Sequence, residues 1–280
     1  MSSARRLVLT SLLLASGLGC ATARNYEDPA VPVYEGGVAD RRDAGATLRV
    51  VTFNLKWGKE IDRAVELLSR PGPLRGADLV VLEEMDREGT ERLGRALGLA
   101  YVYVPSAVHP VPNHDFGVAL LSPWPLEAPR KLLLPHQNRM RKLRRSAAVA
   151  TLRSPLGEVR VSGIHFESPA GAWGGVRRDQ ARAVLADAEG WSGPVLVAGD
   201  FNGRGGPREM AKVGYFWATE AVRNTAGPFE FDHVVARGLC ASGEQAMGVA
   251  PDSNHASDHK PVWAVFARCG DMMAAANDNR

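Results

Sequence analysis

Six short stretches of this 280-residue chain bring carboxylates, amides and imidazoles to the ends of apolar runs. These side chains supply what cleavage of a phosphate ester needs, namely oxygen ligands for a hard cation and groups that move protons. One such stretch alone is weak evidence, because polar residues after strands commonly serve turns. Together the stretches predict a single site. They are Thr52–Leu55, Leu82–Glu84, Gly163–Phe166, Gly199–Asn202, Phe231–His233 and Ser257–Pro261.

The candidate metal ligands are Glu84, Asn54 and Asp258. A buried strand must deliver its polar residues at its end, and Glu84 follows the apolar run Leu79–Leu82. Its carboxylate is a ligand type that suits Mg²⁺ or Mn²⁺. Asn54 could bind the cation or orient a carboxylate, although for this residue taken alone a role in a turn is the better explanation. Asp258 adjoins His259, and one of the two could bind metal while the other moves protons.

The candidate catalytic residues come from later strands. Asp200 ends the run Val195–Ala198 and could hold water or metal, and Asn202 would face the same way if the strand stayed extended. Asn202 could then donate to a phosphate oxygen. His165 could donate to the phosphate or to the leaving group, and Asp232 could orient a histidine.

As a set, these motifs resemble the endonuclease/exonuclease/phosphatase superfamily over roughly residues 47–267, and Gly117–Pro125 is similar to an internal strand of that family. The resemblance implies a four-layer α/β sandwich, in which two mixed β-sheets pack face to face with helices outside. It also implies an enzyme that hydrolyses phosphodiesters with a divalent cation. The implied roles are a general base (His259), its supporting acid (Asp232), a stabiliser of the phosphate (His165), orienting residues (Asp200, Asn202) and metal-site residues (Asn54, Glu84, Asp258).

Three residues depart from the family pattern. Glu83 stands where glutamine usually precedes the metal-binding glutamate, which would add negative charge to the site. Val118 stands where the family often has asparagine. His233 replaces a tyrosine and is either a further proton carrier or filler. Since no core ligand is missing, an inactive relative is not expected.

Strands and helices alternate along the chain, which favours sheet packed on sheet with helices outside. Apolar spacing predicts helices over Ile61–Ser69, Glu88–Leu97 and Gly174–Ala188. The predicted strands are Leu48–Phe53, Leu79–Leu82, Tyr101–Val104, Gly117–Leu121, Ala147–Leu152, Glu158–Ile164, Val195–Ala198, His233–Ala236 and Val262–Ala267.

The start of the chain predicts its compartment. Arg5 and Arg6 precede the apolar run Leu7–Leu18, which is too short to span a bilayer, and small residues lead to Cys20. This pattern predicts a signal peptide over residues 1–19 and lipidation of Cys20. The protein would then be anchored on the periplasmic side of a bacterial envelope membrane. Plain secretion and a buried first helix are the alternatives.

Composition sets the remaining boundaries. At 45% apolar and 23% charged residues, the chain suits one globular domain, predicted over 47–269 and monomeric. Residues 20–46 would be a flexible tether and 270–280 a disordered tail. Residues 1–19 contain two of the 34 basic residues and none of the 31 acidic ones. The mature chain would therefore have 32 basic and 31 acidic residues, and its net charge gives no argument for nucleic-acid binding. Cys240 and Cys269 would form a disulfide or stay as two thiols.

The substrate is less clearly marked. Residues 130–153 hold eight basic side chains and no acidic one. This stretch could bind a polyanion such as nucleic acid or lipid headgroups. Alternatively it is a solvated loop and strand edge, or an arm that lies on an anionic membrane. Arg144, Arg145 and Trp173 are the predicted substrate contacts, with Trp173 able to stack on a base or touch lipid. The sequence favours a nuclease-like enzyme. A phospholipase, a sphingomyelinase-like or sugar-phosphate hydrolase, and a non-catalytic polyanion-binding lipoprotein are the alternatives.

Overall fold

A computed structural model describes residues 21–39, 45–172, 174–243 and 245–269. The predicted signal peptide, Cys20, Trp173 and the predicted tail lie outside these ranges. Across the described ranges, no helix combines the length and the apolar character needed to cross a bilayer.

The described residues form two mixed sheets. The first has the strand order β1-β5-β6-β4-β3-β15-β13, with β2 paired to β5 and β14 to β15. Its strands are β1 (Arg24–Asn25), β2 (Tyr34–Gly36), β3 (Leu48–Asn54), β4 (Leu79–Met85), β5 (Ala100–His109), β6 (His114–Ser122), β13 (Leu239–Ala241), β14 (Met247–Val249) and β15 (Val262–Arg268). The second sheet has the order β11-β12-β10-β9-β8-β7. Its strands are β7 (Leu126–Gln137), β8 (Arg144–Ser154), β9 (Gly157–His165), β10 (Val195–Asp200), β11 (Phe216–Trp217) and β12 (Asp232–Arg237).

Helices cover the outer face of each sheet. The first sheet packs against α1 (Ile61–Ser69) and α2 (Arg87–Leu97), and the second against α3 (Val176–Asp187) and α4 (Gly205–Ala211). Between the sheets lies a third apolar cluster, to which both contribute fully buried side chains such as Val50, Leu120, Val161 and Leu196. The predicted four-layer sandwich with helices outside is confirmed.

Residues 24–36 are folded, and the prediction of a flexible tether over 20–46 is wrong for this part. Arg24 pairs with Val108, and Tyr34 pairs with Tyr103, so β1 and β2 both extend the sheet along β5. The physical reason is the edge of β5, whose backbone groups would otherwise lack partners. The rings of Tyr34 and Tyr103 stack with centroids 6.1 Å apart.

Lys131 fastens this segment to the second sheet. It is 3% exposed, and its ammonium donates to the carbonyl oxygens of Tyr26, Asp28 and Val31. Burial lowers the pKa of Lys131, which Asp28 partly opposes. Lys131 thus satisfies three backbone acceptors that the segment cannot pair within itself.

At the other end, a disulfide joins Cys240 to Cys269 with the Cα atoms 5.0 Å apart. Cys240 lies in β13 opposite Ala267 of β15. The bond therefore closes the chain where the last strand leaves the first sheet.

Replacing Lys131 by methionine should loosen the segment at 24–36. The variant keeps most of the apolar stem but leaves three carbonyl oxygens without their charged donor, which should cost about 3 kcal/mol of unfolding free energy. Limited proteolysis should then cut residues 24–36 faster than in the parent protein.

Lys212→Met is the matched control, because the Lys212 side chain is 68% exposed. Equal cleavage of the segment in the two variants would show that Lys131 does not hold it.

Candidate active site

The strand registers bring the predicted residues to one end of both sheets. In the first sheet, β3 and β4 run parallel with Asn54 opposite Glu83. In the second, His165 lies opposite Asp200 in the parallel pair β9–β10, and Asp232 lies opposite Asp200 across β12. Because the carboxyl ends of parallel strands meet at one sheet edge, residues far apart in sequence share one site.

A glycine permits the closest of these approaches. Gly199 has φ +147°, and a Cβ added there would collide with the carbonyl oxygen of Ile164 in β9. Only glycine fits a backbone conformation and a strand contact of this kind. The next residue, Asp200, is thereby set beside His165.

Asp200 is the centre of the site. Its carboxylate is 1% exposed and accepts from the side-chain amide of Asn54 at 3.0 Å and from the backbone N–H of Asn202 at 2.7 Å. The Nε2 atom of His165 lies 3.4 Å from the same carboxylate. Burial, together with Asp232, raises the pKa of Asp200 to about 7.

Asn202 is placed differently from the sequence prediction. It has φ +51°, so the chain turns after β10 instead of staying extended. Its side-chain amide donates to the carbonyl oxygen of Phe166 at 3.0 Å. The turn, and not strand alternation, puts Asn202 beside Asp200.

Glu84 reaches the site through a bulge. The pairing of β4 with β6 shifts register between Glu83 and Met85, and Glu84 has φ +58°. A left-handed conformation at a non-glycine residue costs roughly 1 kcal/mol or more and persists only where its surroundings impose it. Burial raises the pKa of the Glu84 carboxyl, while Arg145, His259 and a hydrogen bond from Asn54 oppose that rise.

His259 and Asp232 form a tight pair. The Nδ1 atom of His259 lies 2.9 and 3.0 Å from the two carboxylate oxygens of Asp232, which is fully buried. Nε2 therefore faces Asp200, whose nearer oxygen is 3.9 Å away. Burial alone would lower the pKa of His259, but the charge and hydrogen bond of Asp232 raise it to about 10.

Thr225 positions this pair and was missed in the sequence. Its hydroxyl accepts from the backbone N–H groups of Phe231 and Asp232 at 3.0 and 3.2 Å. Its carbonyl oxygen accepts from the backbone N–H of Lys260 at 2.7 Å. One buried threonine therefore ties the start of β12 to the loop of His259, and no local pattern marks it.

Arg145 fixes the tautomer of His165. The Arg145 guanidinium is only a donor, and its Nη1 lies 3.0 Å from Nδ1 of His165. Nδ1 must therefore accept, which leaves the proton on Nε2, the atom that faces Asp200. Burial and then the charge of Arg145 lower the pKa of His165 well below its usual value. His165 is thus a neutral hydrogen-bond donor.

Glu83 does not add the negative charge that the sequence predicts. It is fully buried, and one carboxyl oxygen accepts from the Thr52 hydroxyl at 2.8 Å while the other has no partner. Burial, then Asp232 and Asp200, raise the pKa of Glu83 well above its usual value. The protonated form is therefore favoured, and Glu83 resembles the glutamine it replaces.

The donor set fits a hard divalent cation. Ligand-type atoms of Asp200, Asp232 and His259 lie within 4.8 Å of one another, but Asp232 and His259 are hydrogen-bonded to each other. The carboxylate oxygens left for a cation are those of Asp200 and Glu84, which Asn54 links. Oxygen ligands of this kind suit Mg²⁺ or Mn²⁺. Asp258 stands apart from this group, since its carboxylate pairs with Lys56 at 3.0 Å on the exposed side.

Other predicted residues are engaged elsewhere. Arg144 pairs with Glu27 at 2.8 Å and donates to the carbonyl oxygen of Leu134, so it does not point into the site. His233 is fully buried against Trp217 and Phe201, so it packs as a core residue and is not placed to carry protons.

Removing the Arg145 guanidinium should release the tautomer of His165. In Arg145→Met the Nδ1 atom loses its donor, so the ring should change from nearly pure Nε2–H to a mixture of tautomers. The ¹⁵N chemical shifts of the His165 ring measure this change.

The neighbouring substitution Arg144→Met serves as control, because Arg144 has no contact with His165. Unchanged ring shifts in Arg145→Met would mean that another group sets the tautomer.

Glu83→Gln should stabilise the protein increasingly as pH rises. The folded-state pKa of Glu83 is raised, so its contribution to stability is present below the unfolded value of 4.5 and is lost above it. Glutamine does not ionise, so the melting temperature of the variant should gain on that of the parent protein as the pH rises above 4.5.

Thermal unfolding at several pH values measures this difference. A gap that stays constant with pH would show that Glu83 is already ionised in the folded protein.

Comparisons with known proteins agree with this geometry. The sequence matches the model of the Endonuclease/Exonuclease/phosphatase family over residues 51–259. The fold is similar to that of an endonuclease/exonuclease/phosphatase from Beutenbergia cavernae DSM 12333, with 23% identity, a TM-score of 0.63 and coverage of 80% of this chain and 72% of that one. A search of curated proteins gives no match.

Two further structures share the fold. Sphingomyelinase C from Streptomyces griseocarneus is 21% identical with a TM-score of 0.56, over 79% of this chain and 99% of its own. D. rerio TDP2 in complex with a single-strand DNA product is 18% identical with a TM-score of 0.60, again over 79% and 99%. The family match spans most of the chain and includes every site residue from Asn54 to His259, so the chain belongs to the endonuclease/exonuclease/phosphatase family.

Proposed function

We propose that this protein hydrolyses phosphodiesters with a divalent cation, using His259 to activate water. The observation that carries the proposal is the Asp232–His259 pair beside Asp200, with Nδ1 held at 2.9 Å and Nε2 directed toward the Asp200 carboxylate. A buried carboxylate that orients an imidazole is the arrangement by which proteins make a directed general base.

In this mechanism His259 takes a proton from water through Nε2. Asp232 holds the Nδ1 proton and so stabilises the imidazolium that forms. Asp200 accepts the second hydrogen of the water and orients it toward phosphorus. The new P–O bond forms as the P–O bond to the leaving alkoxide breaks, and that alkoxide takes a proton from solvent. His165, kept neutral by Arg145 and burial, donates from Nε2 to a phosphate oxygen as charge builds there.

Glu84 and Asn54 would hold the cation, with Asp200 beside them. When bound, Mg²⁺ or Mn²⁺ would supply positive charge that offsets the repulsion between phosphate and nucleophile and opposes protonation of His259. No covalent intermediate with the protein is required.

The substrate class is a choice between nucleic acid and phospholipid. Structures similar in fold include a DNA-bound TDP2 and a sphingomyelinase, which keeps both substrate classes open for this chain. The basic stretch gives nucleic acid less support than its composition implies, because most of its charged side chains already pair with groups of the protein itself. These pairs are Arg130–Asp187, Arg144–Glu27, Arg145–Glu167 and Arg153–Glu127, besides Lys131 and its carbonyl oxygens.

The folded start of the chain supports the lipid alternative. It lies beside the site, and we propose that the protein is a lipoprotein anchored through Cys20 on the periplasmic side of a bacterial membrane. We further propose that it acts as a monomer.

Turnover of bis-p-nitrophenyl phosphate tests the chemistry. The purified protein should cleave this diester with Mg²⁺ or Mn²⁺ and not with chelator. His259→Ala should lower turnover by a factor of roughly 100 or more, because it removes the general base.

His255→Ala is the control, since His255 lies in the same loop and is exposed. Near-parental turnover in a folded His259→Ala variant would remove His259 from the mechanism. No turnover with either cation would favour the non-catalytic polyanion-binding alternative.

A further inference from the structure

The first described residues of the chain are fixed to one surface loop. We call Asn138–Leu143, between β7 and β8, the docking loop. The backbone N–H of Ala23 donates to the carbonyl oxygen of Arg141 at 2.7 Å, and the Asn25 side-chain amide donates to that of Lys142 at 2.8 Å. The chain therefore enters the fold at this loop.

The docking loop also borders the active site. Leu143 packs in a small apolar cluster with Ala107, Phe116, Ala23 and Trp57. The ring of Phe116 lies 5.6 Å from that of His165. The start of the chain, the loop and a catalytic imidazole thus lie at one edge of the molecule.

The surface of this edge is amphipathic. Met140 is 54% exposed at the tip of the docking loop, among Arg139, Arg141 and Lys142. Val111 is 50% exposed in the turn between β5 and β6. Next to it, the ring of His109 lies 5.2 Å from that of Phe116, which packs with Leu143 of the docking loop, so the two turns are neighbours. Protruding apolar tips among cations suit the interface of an anionic bilayer, where both kinds of side chain find partners.

We infer that the docking loop and the Val111 turn bind an anionic lipid bilayer, with the active site opening over the headgroups. The occupant is a bilayer because the chain start belongs to the same face. Only three residue steps separate Ala23 from Cys20, a reach of at most about 11 Å when fully extended. An acyl chain on Cys20 and the docking loop would therefore meet the same surface.

With the site facing the bilayer, the substrate of the proposed hydrolase would be a lipid phosphodiester. This part of the inference rests on the proposed function. A phosphodiester of a lipid headgroup would lie at the mouth of the site without leaving the bilayer. A soluble substrate would have to enter between the protein and the membrane.

Vesicle binding by the full chain with Cys20→Ser tests the docking, since this variant carries no acyl chain. Co-sedimentation with phosphatidylglycerol–phosphatidylcholine vesicles should exceed that with phosphatidylcholine alone. Adding Arg141→Glu and Lys142→Glu should lower affinity for the anionic vesicles by roughly 25-fold or more, because each cation lost near such a surface weakens binding about five-fold.

The matched control is Arg75→Glu with Arg95→Glu, which makes the same change in charge at the far end of the first sheet. Arg75 precedes β4, and Arg95 lies in the last turn of α2. This variant should keep its affinity for the anionic vesicles.

A dye at the tip of the loop tests the geometry. In the Cys20→Ser background Cys240 and Cys269 are joined, so Met140→Cys provides a single thiol for an environment-sensitive fluorophore. Its emission should shift to the blue on adding anionic vesicles. Val213→Cys is the comparison, because Val213 is 60% exposed and precedes β11, whose register on β12 sets it away from the site.

Three results would overturn the inference: equal loss of vesicle affinity in the loop and control variants, no loss in the loop variant, or no blue shift at position 140. Loss of duplex DNA binding with vesicle binding unchanged would make nucleic acid the occupant.

Turnover of bis-p-nitrophenyl phosphate, measured alongside, should be unchanged by the loop substitutions. Its absence from all variants, with vesicle binding intact, would reject the proposed hydrolase and leave the docking in place.

Discussion

The hydrogen bond from Asn54 to Asp200 joins the two sheets at their common end. Asn54 ends β3 of the first sheet, Asp200 ends β10 of the second, and the bond of 3.0 Å between them is buried. Around it the site is built from both sides, with Glu84 on the first sheet and His165 and Asp232 on the second. A small sliding of one sheet against the other would separate these groups, so the apolar packing between the sheets also sets the distances on which the chemistry depends.

The concentration of acidic groups at this end is the main electrostatic feature of the fold. Burial raises the pKa values of Glu84 and Asp200, so their ionised forms are unfavourable without further positive charge. Arg145 and the imidazolium of His259 offset part of this charge. Negative charge concentrated in one buried place lowers the stability of the fold there and raises the affinity of that place for a cation.

The sequence predicted the strand ends well because buried strands can release polar side chains only where they end. Its failures have physical causes. The strand β7 contains Pro129 and Pro135 and no clear alternation, which an edge strand tolerates and a central one does not. The roles of Thr225 and Arg145 depend on contacts between residues distant in sequence. The bulge at Glu84 depends on the register with β6. The early strands β1 and β2 are too short to show a period.

The position of β15 has a consequence for when the site can form. This strand lies inside the first sheet between β3 and β13, yet among the described residues it is the last strand in chain order, and His259 comes just before it. A ribosome must therefore synthesise the chain through β15 before the first sheet can close and His259 can meet Asp232. Until that point the nascent chain holds Asp200 and Asp232 without the imidazole of His259 beside them, so the site is incomplete during most of the synthesis of this domain.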